Sequence, residues 1–320
     1  MIGVSYGGIN GWSPRCNCRP AKELDGWPWI RFTHRLRAMN RRTHLTDYDR
    51  IAQSFAWLEA ARARQPGWSD MAAAAGLSEA DYRALLQTWS GVSPERLPEI
   101  LKPDHLRRIL RQSGELPGEP GSAPSVGRTG QAQLVELDAI SSRGAADERT
   151  GRVIAYGAAM TPYGTVAVGF TWRGVCHLSF LAGAERAEQA LRAAWPGMEL
   201  TERQAAAEKL LDRIFSAPDG DAPEPLRAWV VGTEFQVRVW QALLALPSGH
   251  LWSYAELAAR AGRPGAARAV GSAMATNPLP ILIPCHRVLR QNGEVGRYGG
   301  GSVRKALMIA REVAQLEGVD

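Results

Sequence analysis

The run Ile283-Pro284-Cys285-His286-Arg287-Val288 concentrates the most reactive side chains of this sequence. A cysteine attacks as its thiolate, so a nucleophilic cysteine needs a base or a positive field that helps it lose its proton. His286 places a base in the next position and Arg287 a fixed positive charge, with Arg268, Arg290 and Arg297 close in sequence. Adjacent side chains of an extended segment point apart, so His286 would reach Cys285 through a turn or a water rather than by stacking on it. By themselves these residues leave several readings open: a transferase nucleophile, a cysteine hydrolase, or a buried cysteine beside a surface histidine. The hydrolase would also need an oxyanion site and turnover.

The other cysteines, Cys16, Cys18 and Cys176, are too scattered for the disulfide framework of a secreted protein. Cys16-x-Cys18 is too tight and isolated for a structural zinc site, which takes four ligands, so no metal and no cofactor is expected. Cys176 falls in an apolar run and reads as a small buried hydrophobe. No apolar stretch reaches the roughly 18 residues of a membrane span, and no signal-peptide pattern opens the chain. The expected location is therefore cytoplasmic, associated with the nucleoid if DNA is the partner.

The net charge of +6 is unevenly spread. Residues 225–320 carry 11 basic and 6 acidic side chains, residues 114–224 carry 10 and 15, and residues 46–113 carry 9 of each. A basic C-terminal segment that also holds the Cys-His pair can attract phosphates.

The elements that must position these residues follow from pattern. Residues 1–45, rich in Gly, Pro, Trp and Arg, read as a basic, disordered tail, with Met39 an alternative start. Residues 46–113 read as helical: Ile51, Phe55 and Leu58 recur at helical spacing. The segment Ala72-Ala73-Ala74-Ala75-Gly76-Leu77-Ser78 gives a helix, a turn and a Ser-capped second helix, a helix-turn-helix pattern. Residues 114–150 read as a linker, Gly/Pro-rich over 114–130, where few contacts should cross, so that a fragment from about residue 150 should keep full activity. Residues 151–225 form a small α/β domain, with strands over 153–160, 165–171 and 175–181 joined by turn signals and followed by helices near 184–194 and 202–215. Residues 226–320 start with a short strand and a helix. The Ser253-x-x-Glu256 capping pattern then opens a second helix-turn-helix through residue 275, and Asn277-Pro278 ends it.

Pro284-Cys285-His286-Arg287-Val288 resembles the active-site signature of the O6-alkylguanine-DNA alkyltransferase family, and the likeness continues in order on both sides. Gly232-Thr233-Glu234-Phe235 with Val239-Trp240, Ser253-Tyr254 with Leu257-Ala258, and Ala266-Ala267-Arg268-Ala269-Val270-Gly271 resemble its opening helix and DNA-binding helices. Asn277-Pro278 resembles its hinge, and Tyr298-Gly299-Gly300-Gly301 with Lys305 the end of its site. The resemblance implies an α+β multidomain fold: an N-terminal helix-turn-helix, a ribonuclease-H-like α/β domain and a winged helix-turn-helix-like catalytic domain. It implies that Cys285 accepts, once and irreversibly, the alkyl group of O6-alkylguanine in double-stranded DNA, with O4-alkylthymine left open as a second lesion. His286 then acts as base through a water, Glu312 orients it, Tyr254 assists the departing guanine, and Asn277 is the hinge. Arg268 fills the gap left by the extruded nucleotide, with Ala267, Gly271 and Tyr298 also at the DNA.

Residues 47–101 are similar to the first helix-turn-helix of AraC-type regulators, an Ada-like arrangement in which a repair protein also controls transcription. A second reading is therefore a regulator that binds promoter DNA through residues 46–113. Against it, the first 150 residues hold only two cysteines, so the four-cysteine zinc domain of Ada-like proteins is not expected. The linker stands where a second helix-turn-helix should be, and Glu79 and Asp81 open the would-be recognition helix.

Overall fold

The computed structural model describes residues 46–60, 67–91, 93–115, 126–128, 134–141, 153–215 and 225–317. The tail, with Cys16 and Cys18, lies outside them.

The front of the chain is helical: α1 (Asp47–Ala60), α2 (Trp68–Ala74), α3 (Glu79–Ser90), α4 (Arg96–Ile100) and α5 (Pro103–Gly114). Gly76, at φ 67°, makes the turn between α2 and α3. Ser78 caps α3 by accepting from the Asp81 amide at 3.1 Å, and Gly91 closes it in the left-handed region.

A seven-stranded sheet follows, ordered β1-β2-β7-β5-β4-β3-β6. Its strands are β1 (Val126–Arg128), β2 (Leu134–Ser141), β3 (Val153–Thr161), β4 (Gly164–Thr171), β5 (Gly174–Leu181), β6 (Glu199–Glu202) and β7 (Leu226–Gly232). β3, β4 and β5 form the expected antiparallel meander, with helices α6 (Ala187–Ala194) and α7 (Gln204–Phe215). Cys176 is fully buried in β5.

Two findings correct the sequence expectations. The segment read as a linker holds β1 and β2, and β2 pairs in parallel with β7 along its whole length, from Val135↔Leu226 to Ser141↔Gly232. β7 therefore belongs to the same sheet as the meander, through β5. In β2, buried Val135 and Leu137 alternate with exposed Glu136, the period-two pattern of a strand with one buried face.

The last part contains α8 (Glu234–Leu244), α9 (Tyr254–Arg260), α10 (Ala267–Ala275) and α11 (Ser302–Leu316), with β8 (Trp252–Ser253) paired in parallel to β9 (Val288–Leu289). Thr233 and Gln236 close a reciprocal capping box on α8, and Ser253 caps α9 through the Glu256 amide. α11 is buried at every residue from Lys305 to Ala314. A helix covered on all sides is a central one. Its outer side is covered by the front helices: Tyr48, Ile51, Phe55, Trp89, Leu97 and Ile100 share one apolar cluster with Leu307, Ile309 and Val313. The expectation that few contacts cross between front and back is thus overturned. No helix among the described residues is long and apolar enough to cross a membrane.

Candidate active site

The chain after α10 is built to present one turn. Asn277 donates from Nδ2 to the Ile283 carbonyl at 2.9 Å and accepts the Leu279 amide on Oδ1 at 3.0 Å, tying both ends of the 277–283 loop. Inside that loop Ile281 has φ 84°. A β-branched residue with positive φ is a strained backbone, held only where its surroundings over-determine it. The loop is also bonded to the sheet, the Leu178 amide donating to the Pro278 carbonyl at 2.9 Å.

Cys285, His286 and Arg287 then form a single 3-10 turn. With about three residues per turn, successive side chains fan out by a third of a circle. Cys285 points toward Asn277, whose Nδ2 lies 3.2 Å from Sγ. His286 and Arg287 both reach Glu312 on α11. His286 Nε2 is 2.9 Å from Glu312 Oε1. Arg287 donates from Nε to Oε2 at 2.8 Å and from Nη2 to Oε1 at 3.1 Å, a two-pronged clamp, and from Nη1 to the Leu246 carbonyl. Cys285, His286, Arg287 and Glu312 are buried, and Asn277 is half-buried.

The charges follow from this packing. Burial alone would raise the Glu312 carboxyl, but Arg287, then His286 and the hydrogen bonds from both, hold it well below the usual carboxylate range. An ionised carboxylate only accepts, so His286 carries its proton on Nε2 and its lone pair on Nδ1. Nδ1 has no hydrogen-bond partner among the described residues. Burial depresses the imidazole, against the pull of Glu312. Burial also raises the Cys285 thiol, opposed by the Asn277 hydrogen bond and by the charge of Lys305. The expectation of surroundings that favour the anion holds only for those opposing contributions. Burial thus favours the uncharged form of both the Cys285 thiol and the His286 imidazole.

Around the sulfur, the structure gathers further expected residues. Tyr254, at the start of α9, feels the charges of Arg290 and Cys285, and a Cβ added at Gly271 of α10 would stand 3.8 Å from its ring. Tyr298 lies within the field of Cys285 and Glu312, packs on Phe180 of β5 at 6.3 Å, and has a buried hydroxyl with no partner among the described residues. Arg268 is exposed on α10, one turn from Gly271 and next to half-buried Ala267.

Two residues named from the sequence make contacts that the sequence did not show. Arg287 reads there as a positive charge near sulfur but spends its guanidinium on Glu312. Lys305 is fully buried, donates to the Val288 carbonyl at 2.6 Å and is pushed by burial down to about 8, with Cys285 as its opposing partner. A lysine and a carboxylate seven positions apart on one buried helix were the available signal, since that spacing puts both on one face. Among the described residues, no three His, Cys, Asp or Glu side chains converge as metal ligands would.

This is a buried cysteine served by a histidine–carboxylate pair, beside a helix-turn-helix. Residues 234–314 match the family described as 6-O-methylguanine DNA methyltransferase, DNA binding domain. A methylated-DNA–protein-cysteine methyltransferase of Mycobacterium leprae is 42% identical over 143 residues, 44% of this chain and 84% of that protein. Its namesake from Salmonella typhimurium is 53% identical over 81 residues, 25% of this chain and 47% of that protein, so the match spans about half of that relative. A crystal structure of Mycobacterium tuberculosis OGT in complex with DNA is 32% identical and covers 50% of this chain and 94% of that one, at a TM-score of 0.41. Carried by the M. leprae relative, the conclusion is that this chain belongs to the methylated-DNA–protein-cysteine methyltransferase family.

Proposed function

We propose that this protein repairs DNA by moving the alkyl group of O6-alkylguanine in a duplex directly onto Cys285. The observation that carries the reading is the buried His286–Glu312 pair directly after buried Cys285, with Arg287 clamping the carboxylate.

The chemistry is a displacement at carbon. The Cys285 proton passes, through a bridging water, to Nδ1 of His286, and the imidazolium is stabilised by Glu312. The sulfur forms a bond to the alkyl carbon as the carbon–O6 bond breaks, and the electron pair leaves with guanine. The Tyr254 hydroxyl donates to the departing base. Asn277 holds Sγ in place through the hydrogen bond its amide donates. The product is a thioether, whose carbon–sulfur bond does not hydrolyse in neutral water, so each chain acts once.

The alkylated oxygen lies inside the base stack, so the nucleotide must be extruded. Arg268, exposed on a helix otherwise rich in small residues, takes the space it leaves, with Ala267 and Gly271 allowing close approach to the minor groove and Tyr298 lining the pocket. In the finer architecture we assign residues 46–113 to a partial AraC-type helix-turn-helix. The sheet is assigned to a ribonuclease-H-like unit, centred on 151–225 with β1, β2 and β7 added, and the remainder of 226–320 to a winged helix-turn-helix-like unit. The test is intact-mass measurement of the protein after incubation with a duplex holding one O6-methylguanine. One added methyl on Cys285 is expected; no mass change with lesion present in excess would refute the reading.

A further inference from the structure

The front helices do more than cover α11. Arg311, the residue before Glu312, is buried with its guanidinium 5.5 Å from the Trp89 ring of α3 and 5.6 Å from the Tyr163 ring of the β3–β4 turn. The two rings meet edge to face at 6.0 Å. Trp89 Nε1 donates to the Pro162 carbonyl at 2.7 Å, and Tyr163 is hydrogen-bonded to Arg311. A cation held between two aromatic faces in a buried site is fixed in position and direction.

The same unit grips the catalytic part elsewhere. Ser113 accepts the Leu251 amide on Oγ at 3.0 Å and the Trp252 indole on its carbonyl at 3.2 Å, both beside β8. Glu317, just past α11, meets Arg96 at 2.9 Å, His105 at 3.1 Å and Arg108 at 3.2 Å. Gly293, at φ 83°, lies so close to α5 that a Cβ there would stand 2.4 Å from the Pro103 carbonyl oxygen. A domain merely tethered would not need a backbone approach of that kind.

We propose that residues 46–115 brace the reactive centre, and that Trp89 is a positioning residue which, through Arg311 and Tyr163, sets Glu312 against His286. This rests on the alkyl-transfer reading above. α11 delivers Glu312 from one side, and among the described residues its other side packs on these helices and the β3–β4 turn. If Trp89 is removed, Arg311 loses one wall, and the carboxylate one residue on is no longer held to hydrogen-bond distance from Nε2.

The test uses the full chain and free O6-benzylguanine, which needs no duplex, with transfer rates followed from pH 6 to 10. The groups facing the centre are Arg287, Lys305, Tyr163, Tyr254, Tyr298 and, beyond them, Arg290, Arg304 and Arg311. All of these remain in Trp89 variants, so their titration cancels in the ratio of variant to wild type. Trp89→Leu should slow transfer at pH 7 by about tenfold, the size of a one-unit loss in imidazole basicity. The gap should narrow as pH rises toward 10, because a growing share of thiolate then forms without the histidine. Trp89→Phe, which keeps a ring over Arg311, should restore most of the rate. The isosteric Tyr163→Phe should shift the ratio in the same direction as Trp89→Leu, and it decides the matter alone if Trp89→Leu does not fold. Ratios to wild type that are independent of pH would overturn the brace, because a lower folded fraction scales all rates equally. A wild-type chain that takes no benzyl group at any pH would instead overturn the alkyl-transfer reading, and the brace with it.

Discussion

His286 and Glu312 meet at 2.9 Å, the ring from a 3-10 turn and the carboxylate from the last long helix, and Arg287 closes on the same carboxylate from the residue next to the ring. One buried carboxylate thus binds both an imidazole and a guanidinium.

Glu312→Gln should separate these duties. The amide cannot stabilise an imidazolium as an anion does, and alkyl transfer at pH 7 should fall by about 10²-fold, a typical general-base contribution. Arg287 is left as a buried cation without its partner, and folding stability should drop by about 3–5 kcal/mol. Stopped-flow rates and denaturant unfolding measure the two losses. A variant with normal rate and lowered stability would make Glu312 a structural residue only.

The same pair sets the acid limb of stability. Glu312 is depressed below its ordinary 4.5 and His286 below its ordinary 6.5. In both cases the unfolded chain binds the proton first as pH falls, so stability is present above those values and lost below them. Unfolding midpoints followed from pH 7 to 3 should decline first below about 6.5 and more steeply below about 4.5, the unfolded-state values. Glu312→Gln should lose the second decline. An identical second decline in the variant would contradict the assignment.

Arg268→Ala should slow repair of a duplex far more than reaction with free O6-benzylguanine, because a free base needs no extrusion. Arg268 lies exposed on α10. Equal losses on both substrates would remove the extrusion role.

A fragment beginning near residue 150 should be inactive or insoluble, contrary to what the Gly/Pro-rich stretch implies. It would lose β2 from the side of β7 and expose the apolar side of α11. Soluble fragment with wild-type repair would show that neither contact matters.

The front helix-turn-helix should not bind promoter DNA through α3. Glu79, Asp81, Gln87 and Thr88 are exposed on that helix, and its one cation, Arg83, is paired with Glu79 and Glu95. An acidic helix start repels phosphates, and little counterion release is available. A fluorescence titration of the full chain with the gene's upstream duplex should show no preference over a scrambled one of equal length. Submicromolar, sequence-dependent binding at physiological salt would restore the regulator reading.

What the sequence made legible was local. The Pro284-Cys285-His286-Arg287-Val288 run, the Ser78 and Ser253 caps, the meander and the helices on either side of Gly76 are set by neighbours within a few positions. The pairings made across the chain were hidden. β2 looks like linker because it is flanked by Gly, Pro and Ser, yet its alternation of Val135, Leu137 and Ala139 with Glu136 and Asp138 was a strand signal. Docking of the front unit was also written in α11, where every residue from Lys305 to Ala314 except Lys305, Arg311 and Glu312 is apolar. Such a helix needs cover on every side, and no local rule says which segment provides it.

The central claim is that Cys285 keeps the alkyl group it removes. Full-length protein mixed with excess duplex carrying one O6-methylguanine, then weighed intact and mapped by peptide, tests it most directly. The account predicts one methyl per chain, located on Cys285, and none on a Cys285→Ser variant, which also leaves the lesion in the DNA. Lesion removal by Cys285→Ser, or a methyl found on Cys176 instead, would contradict it.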